Sequence, residues 1–193
     1  MKKISTTLGL ILLLLISTTQ LDAQLTVSGV TLPGTLQVGG NNLVLNGGGV
    51  RVKFFMDMYV GGLYVPAKSN NGDAIAKANE PTAVRLQIVS GLVTSDRMKD
   101  AIAEGFKKST GDKTAPIQAK IDKFVKLFSL EPIVKGNVFD LEYTPAGGLQ
   151  VSKNGKLLDT IEGLDFKTAL WGIWLGGDPA DKSLKAGMLG KAK

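Results

Sequence analysis

Residues 50–65, VRVKFFMDMYVGGLYV, constrain the fold of this chain more than any other stretch. Val, Phe and Tyr dominate the run. Such β-branched and aromatic side chains suit a pleated, half-buried surface, so the stretch predicts strand. It is too long for one average strand, and Gly61-Gly62 are the residues placed to let it bend. Read with a period of two, Val50, Val52, Phe54, Met56 and Met58 share one face, and Arg51, Lys53, Phe55, Asp57 and Tyr59 share the other. The first face is uniformly apolar and predicts contact with a core. The second mixes charges with large aromatics, which is odd for a face that is simply wet. A sheet has to be built around such a segment.

The flanking sequence supplies the rest of that sheet and a cover for it. Leu25 to Val30 alternates like a strand and is stopped by Pro33-Gly34. Residues 35–38 and 43–46 read as a hairpin around Gly39-Gly40-Asn41-Asn42. Gly47-Gly48-Gly49 reads by glycine alone as a flexible turn, with a bulge or a close approach of backbone as the alternative. Residues 73–79 fit a short helix with Asp73 as cap, and residues 83–89 alternate as a strand. Ser95 can cap a helix to about Lys108, in which Met98, Ile102 and Phe106 recur at four-residue spacing. Ile117, Ile121, Phe124, Val125 and Phe128 make the stripe of a second helix. Residues 136–143 read as a strand, and 149–152 with 156–161 as a hairpin around Asn154-Gly155, the strongest short hairpin signal present. Phe166, Leu170, Ile173 and Trp174 mark a helix ended by Gly176-Gly177, and Asp178-Pro179 predicts the start of another. Strands, then helices, then strands, then helices predict an α+β fold, an antiparallel sheet covered by helices on one face.

The amino terminus and the missing residue types bound the function. Met1-Lys2-Lys3, the apolar run at residues 8–16 and Leu21-Asp22-Ala23 have the order of a secretory signal peptide. The run is about half of the ~20 residues that a spanning helix needs, so no membrane anchor is expected to remain. Residues 1–23 are therefore expected to be cleaved after Ala23. That leaves residues 24–193 as one exported domain, periplasmic or extracellular. With no Cys and no His, disulfides are excluded, as are the usual ligands of zinc, copper and iron and the Ser-His and Cys-His nucleophile pairs. No metal and no other cofactor is expected. The net charge of +6 is spread along the chain without aromatic interleaving, which argues against nucleic acid as a partner.

Five segments carry a family resemblance: Leu45-Asn-Gly-Gly-Gly-Val-Arg51, Tyr59-Val-Gly-Gly-Leu-Tyr-Val65, Gly29-Val-Thr-Leu-Pro33, the 170–176 run LWGIWLG, and Asp178-Pro-Ala-Asp181 with Leu184. In order and spacing they resemble the chalcone isomerase superfamily, and within it the secreted bacterial chalcone isomerase-like proteins. The resemblance implies an open-faced β-sandwich, with a ligand cleft between sheet and helices and an arginine, here Arg51, reaching into it. In the plant enzyme of that superfamily the arginine holds a phenolate while Thr and Tyr hydroxyls assist at a carbonyl. Here the threonine position holds Tyr59. The tyrosine, asparagine and late-helix Ser/Thr positions fall near Met98, Gly105 and Lys167. Only the arginine is carried over, so no catalytic residue is assigned.

The fatty-acid-binding plastid members of the superfamily fit better. They hold a carboxylate with an arginine and a tyrosine that match Arg51 and Tyr59. A separation of eight keeps both side chains on one face of a continuous strand, and a guanidinium presents a planar fork suited to a carboxylate. The candidate ligand-binding residues are thus Arg51, Tyr59, Phe55 between them, Met98 from the first long helix, and Tyr64 if a bend at Gly61-Gly62 turns it inward. The expected function is non-catalytic binding of a fatty acid or similar small amphipathic anion. The alternatives are an enzyme acting on an enone or phenolic substrate, and a structural or partner-binding domain in which Arg51 merely pairs with Asp57 or another local carboxylate.

Overall fold

Tight turns set the strand order. The computed structural model describes residues 24–191, and the expected signal peptide lies outside the described residues. A small hairpin, β1 (Leu25–Val27) and β2 (Val30–Leu32), precedes the main sheet. That sheet has seven strands, β3 (Thr35–Val38), β4 (Asn41–Lys53), β5 (Met56–Val65), β6 (Thr82–Ile88), β7 (Val138–Thr144), β8 (Gly148–Lys153) and β9 (Lys156–Ile161). They pair antiparallel in that order. The β3–β4 turn uses Gly39 and Gly40, and the β8–β9 turn uses Asn154 and Gly155, all at positive φ as the two expected hairpins require.

The 50–65 stretch differs from its expectation. It does not bend at Gly61-Gly62; it reverses at Phe54-Phe55, which sit at φ 53° and 61° between β4 and β5. Arg51 and Tyr59 are therefore opposed across a hairpin rather than eight residues apart on one strand. The Val50–Met58 set is a core face only at its ends, where Met58 is buried in the main core and Val50 packs against the smaller cluster. Val52, Phe54 and Met56 are exposed because the hairpin runs past the layers that cover the sheet.

The glycine run is strand, not turn. Gly47, Gly48 and Gly49 lie in β4, just after a bulge at Asn46 that exchanges the two faces of the strand. Before it, Leu43 and Leu45 face one side; after it, Gly48 and Val50 do. Asn46 itself is buried. Its amide donates to the carbonyls of Ser69 (2.9 Å) and Met188 (2.8 Å) and accepts from the Ser69 N–H. A Cβ on Gly47 would overlap the Gly187 carbonyl oxygen and stand 2.9 Å from the Gly190 nitrogen. Absence of a side chain is what lets the last helix lie on the sheet.

Among the described residues five α-helices accompany the strands: α1 (Gly72–Lys77), α2 (Ser95–Thr110), α3 (Gln118–Leu127), α4 (Leu164–Leu175) and α5 (Lys182–Met188), with a short 3-10 turn at Ala115–Ile117 leading into α3. Three caps differ from expectation. Asn71 caps α1 instead of Asp73, Thr94 caps α2 instead of Ser95, and Asp181 caps α5 while Asp178-Pro179 stays outside it. In each case a side-chain oxygen of the observed cap accepts a first-turn N–H, and the acidic residues Asp73 and Asp96 fall in the first turn, where the helix dipole favours them.

The helices bury one face of the sheet. Phe106 (α2), Phe124 (α3), Phe128, Phe139 (β7) and Phe166 (α4) form a chain of ring contacts with centroids 5.0–6.2 Å apart. Such contacts add to the burial of large apolar surface. The opposite face carries a smaller cluster in which Leu32 of β2 packs with Leu43, Val60 and Tyr64.

Lys167 of α4 is fully buried, and its ammonium donates to the carbonyls of Ile75 (2.7 Å), Ala76 (3.1 Å) and Ala78 (2.8 Å). These are carbonyls that the end of α1 leaves without helical partners. Lys167→Met is expected to destabilise the fold by about 2 kcal/mol, since buried acceptors lose their donor; urea denaturation would measure it. Burial pushes the Lys167 pKa down to about 8 from 10.5. Between those values the unfolded chain holds the proton and the folded chain has released it, so this group's contribution to stability rises with pH across that window. The stability gap between the parent and Lys167→Met is expected to widen over the same range.

Candidate functional site

β4 and β5 deliver the two polar groups of the site from adjacent strands. In the sheet register Arg51 lies directly opposite Tyr59, and both side chains point to the helix side. The guanidinium carbon stands 5.8 Å from the centre of the Tyr59 ring, close enough for a cation–π contact. Trp174 of α4 donates its indole N–H to the Tyr59 hydroxyl oxygen at 3.0 Å. That leaves the tyrosine's own proton free to be donated elsewhere. Burial pushes the Tyr59 pKa up, and the nearby Arg51 charge opposes the shift only in part. The phenol is therefore a neutral donor at physiological pH.

Arg51 is not held by a carboxylate. Among the described residues its buried Nε has no hydrogen-bond partner, and the alternative pairing with Asp57 or another local carboxylate is not made. Asp181 lies near, but it is occupied. One oxygen caps α5 through Ser183 N (2.7 Å) and Leu184 N (2.9 Å), and the other accepts the Val52 N–H (3.1 Å). The same sheet shows what a structural arginine looks like. On its other face Arg85 makes a two-pronged pair with Asp140 directly opposite, at 2.6 and 3.0 Å. Buried polar groups of a folded protein are nearly always satisfied, by protein or by ordered water. Among the described residues the Arg51 Nε shares its lack of a partner with Thr82 Oγ1 and the Trp171 indole nitrogen, but it alone of the three lines the space between sheet and helices.

Two neighbouring spaces share this pair as lining. The inner one, about 30 Å³, lies between sheet and helices against Leu86, Ile102, Phe124, Phe128, Leu141 and Ile173. The outer one, about 220 Å³, opens to solvent past Met58, Leu92, Val93 and Arg97. Arg51, Tyr59, Met98 and Ala101 line both, so they form the neck. The inner space takes no more than a water or two as it stands. At the rim, Glu104 of α2 is held below the usual carboxylate range by Lys108.

The structure brings together three of the expected residues, Arg51, Tyr59 and Met98. Phe55 is not between them: it sits at the hairpin apex with its side chain wholly in solvent, because the turn at 54–55 lifts it off the sheet. Tyr64 is not inward either. The strand is unbroken at Gly61-Gly62, so Tyr64 lies on the opposite face and donates to the Pro33 carbonyl at 3.0 Å. Of the positions aligned with the plant enzyme, Gly105 packs its bare Cα against Ile173, and Lys167 serves the end of α1. Other contributors were missed. Trp174 reads in sequence as a core residue, and its role as donor to Tyr59 had no signal in spacing. Leu92 at the mouth lies in a loop that periodicity does not address, and Arg97 stands in the first turn of α2, where spacing alone does not say that it lines an opening. Among the described residues no group of His, Cys, Asp and Glu could hold a metal ion, and no helix is long and apolar enough to cross a membrane.

Comparison with known proteins bears on the family and the fold. A family model described as chalcone isomerase-like matches residues 23–190, and the chain belongs to that family. No curated protein matches it significantly. Among solved structures, the crystal structure of a fatty-acid binding protein from Arabidopsis thaliana is similar, with a TM-score of 0.66 at 20 % identity, over 83 % of this chain and 92 % of that one. At that identity the likeness is one of fold: a curved antiparallel sheet under a layer of helices.

Proposed function

We propose that this chain binds a fatty acid or a similar small amphipathic anion, without transforming it, in the cleft between sheet and helices. The observation that carries this is the buried, unpartnered Nε of Arg51 beside the free hydroxyl proton of Tyr59, at the neck of an apolar space. A carboxylate placed there accepts charge-assisted hydrogen bonds from the guanidinium and one from the phenol. Its tail runs inward between α2 and the sheet. The inner space is narrow in the ligand-free chain, so the tail enters by displacing side chains. Met98 at the neck is unbranched and able to move aside. That the Arabidopsis thaliana protein of similar fold is a fatty-acid binding protein supports the same ligand class.

Organic extraction of the purified chain followed by mass spectrometry tests this reading, together with thermal melts in added fatty acid. Binding to the native state alone raises the Tm. The expected result is co-purifying lipid, a raised Tm and altered emission from Trp174. If no lipid is extracted and added fatty acid moves neither signal, the reading is wrong.

Tyr59→Phe should weaken fatty-acid affinity by about 1 kcal/mol, several-fold in Kd, through loss of one neutral donor. It should also lower the Tm, because the buried Trp174 N–H loses its acceptor. Titration with a fluorescent fatty acid and a melt of the same sample report the two effects separately. We also propose that the chain acts after export, in the periplasm or outside the cell. Lys2, Lys3 and the apolar run at residues 8–16 support this. Amino-terminal sequencing of protein recovered outside the cytosol should begin at Gln24; recovery in the cytosol with residues 1–23 intact would refute it.

A further inference from the structure

The apex of the β4–β5 hairpin conflicts with its own sequence. A two-residue turn with both φ angles positive is normally made by Asn and Gly, because larger residues crowd their own backbone there. Here Phe54 and Phe55 occupy it, at φ 53° and 61°. Neither residue recovers that strain by packing in the fold, since Phe54 is 74 % exposed and Phe55 103 %. Val52 and Met56 extend the apolar surface down both legs of the hairpin, and Leu92 faces it across the opening of the outer space, which Phe54 itself helps to line. Backbone strain held at an exposed apolar tip beside a ligand entrance points to a role outside the fold.

We propose that this tip inserts into the surface of an anionic phospholipid bilayer, seating the mouth of the cleft against the lipid from which the ligand is taken. The choice of a bilayer over a protein rests on size and charge. Two phenylalanines offer about 150–250 Å² each, well short of the ~800 Å² per partner that a specific protein interface buries. They suit shallow insertion, where binding grows with buried apolar area and with attraction to anionic headgroups. Lys53 adjoins the tip, with its ammonium 5.4 Å from the Phe54 ring centre, and Arg97 lines the same opening. Neither is in an ion pair among the described residues. Of the acidic residues around the opening, Glu104 is taken by Lys108, leaving Asp100 and, behind the tip, Asp57. What is exchanged at the membrane rests on the fatty-acid reading above; docking does not.

The test uses vesicles of equal parts phosphatidylcholine and phosphatidylglycerol. Phe55→Trp places a reporter indole at the apex, away from the buried Trp171 and Trp174. Its emission is expected to shift to the blue and to be quenched by vesicles with brominated acyl chains, with no such change in the parent. Phe55→Asn keeps a residue that tolerates left-handed backbone, and it should reduce co-sedimentation with vesicles roughly tenfold. Phe55 lines neither space, so the same variant should bind free fatty acid in solution as the parent does. A reporter indole that stays unquenched in the Phe55→Trp chain, or a Phe55→Asn chain that sediments like the parent, overturns the docking proposal. So does a parent dimer that Phe55→Asn converts to monomer, which would make the tip a contact between two copies. Loss of fatty-acid binding in solution with docking intact would instead refute the binding reading alone.

Discussion

Arg51→Met is expected to abolish most of the affinity for a fatty acid while leaving the ligand-free fold as stable as before, or slightly more so. In the proposed complex the guanidinium makes charge-assisted hydrogen bonds to the carboxylate. Losing them should weaken binding by about 3 kcal/mol, roughly a hundredfold in Kd. In the free chain the same group is a liability. Its Nε is buried without a partner, and an apolar side chain of similar length removes that unsatisfied donor. The two readouts must therefore move apart, with affinity falling and the Tm holding or rising. A structural arginine behaves in the opposite way. Arg85→Met would strand Asp140, whose carboxylate it holds at 2.6 and 3.0 Å, and should lower the Tm without touching the ligand. If Arg51→Met lowers the Tm as well, Arg51 serves the fold and the site has been misread.

Gly47→Ala is expected to damage the fold more than any other single methyl group. A Cβ there would overlap the Gly187 carbonyl oxygen and stand 2.9 and 3.1 Å from Gly190 N and Met188 O. These are backbone atoms, so no side-chain rotation relieves the clash. α5 would have to lift from β4, loosening the Asn46 bonds to Ser69 and Met188 and the Asp181 bond to Val52. Overpacking of this kind costs on the order of 3 kcal/mol, which guanidinium denaturation resolves easily. α5 also carries Asp181, which fixes β4 one residue beyond Arg51, so the surviving folded fraction should bind ligand more weakly too. A substitution at Gly155, where a Cβ meets nothing within 4 Å, should be limited to the strain of its φ of 78°.

How much of this was legible in the sequence depended on how local the cause was. The Asn154-Gly155 turn, the Ile117–Phe128 stripe and the α+β order of elements follow from turn chemistry and periodicity, and the structure has them. The Phe54-Phe55 turn was invisible because it breaks the rule that reveals turns: neither residue is Gly, Asn, Asp or Pro. With the turn unseen, period two ran on through residues 50–65, and it assigned Phe55 to the site and Val52, Phe54 and Met56 to the core. The family resemblance located Arg51 and Tyr59, yet their opposition across two strands belongs to register, which composition does not specify. Trp174 could not be foreseen as the partner of Tyr59, because 115 residues separate the two atoms that meet. Gly47 was ambiguous for a related reason: glycine permits a turn and a close approach equally, and only the arrival of α5 decides.

Whether the neck recognises a carboxylate is measured by titrating the chain calorimetrically with a long-chain fatty acid and then with the alcohol of the same chain length. Saturable binding of one acid per chain is expected, at least tenfold tighter than the alcohol, since only the acid presents a charge to Arg51. Equal affinity for acid and alcohol, or binding of neither, would contradict a carboxylate site at Arg51 and Tyr59.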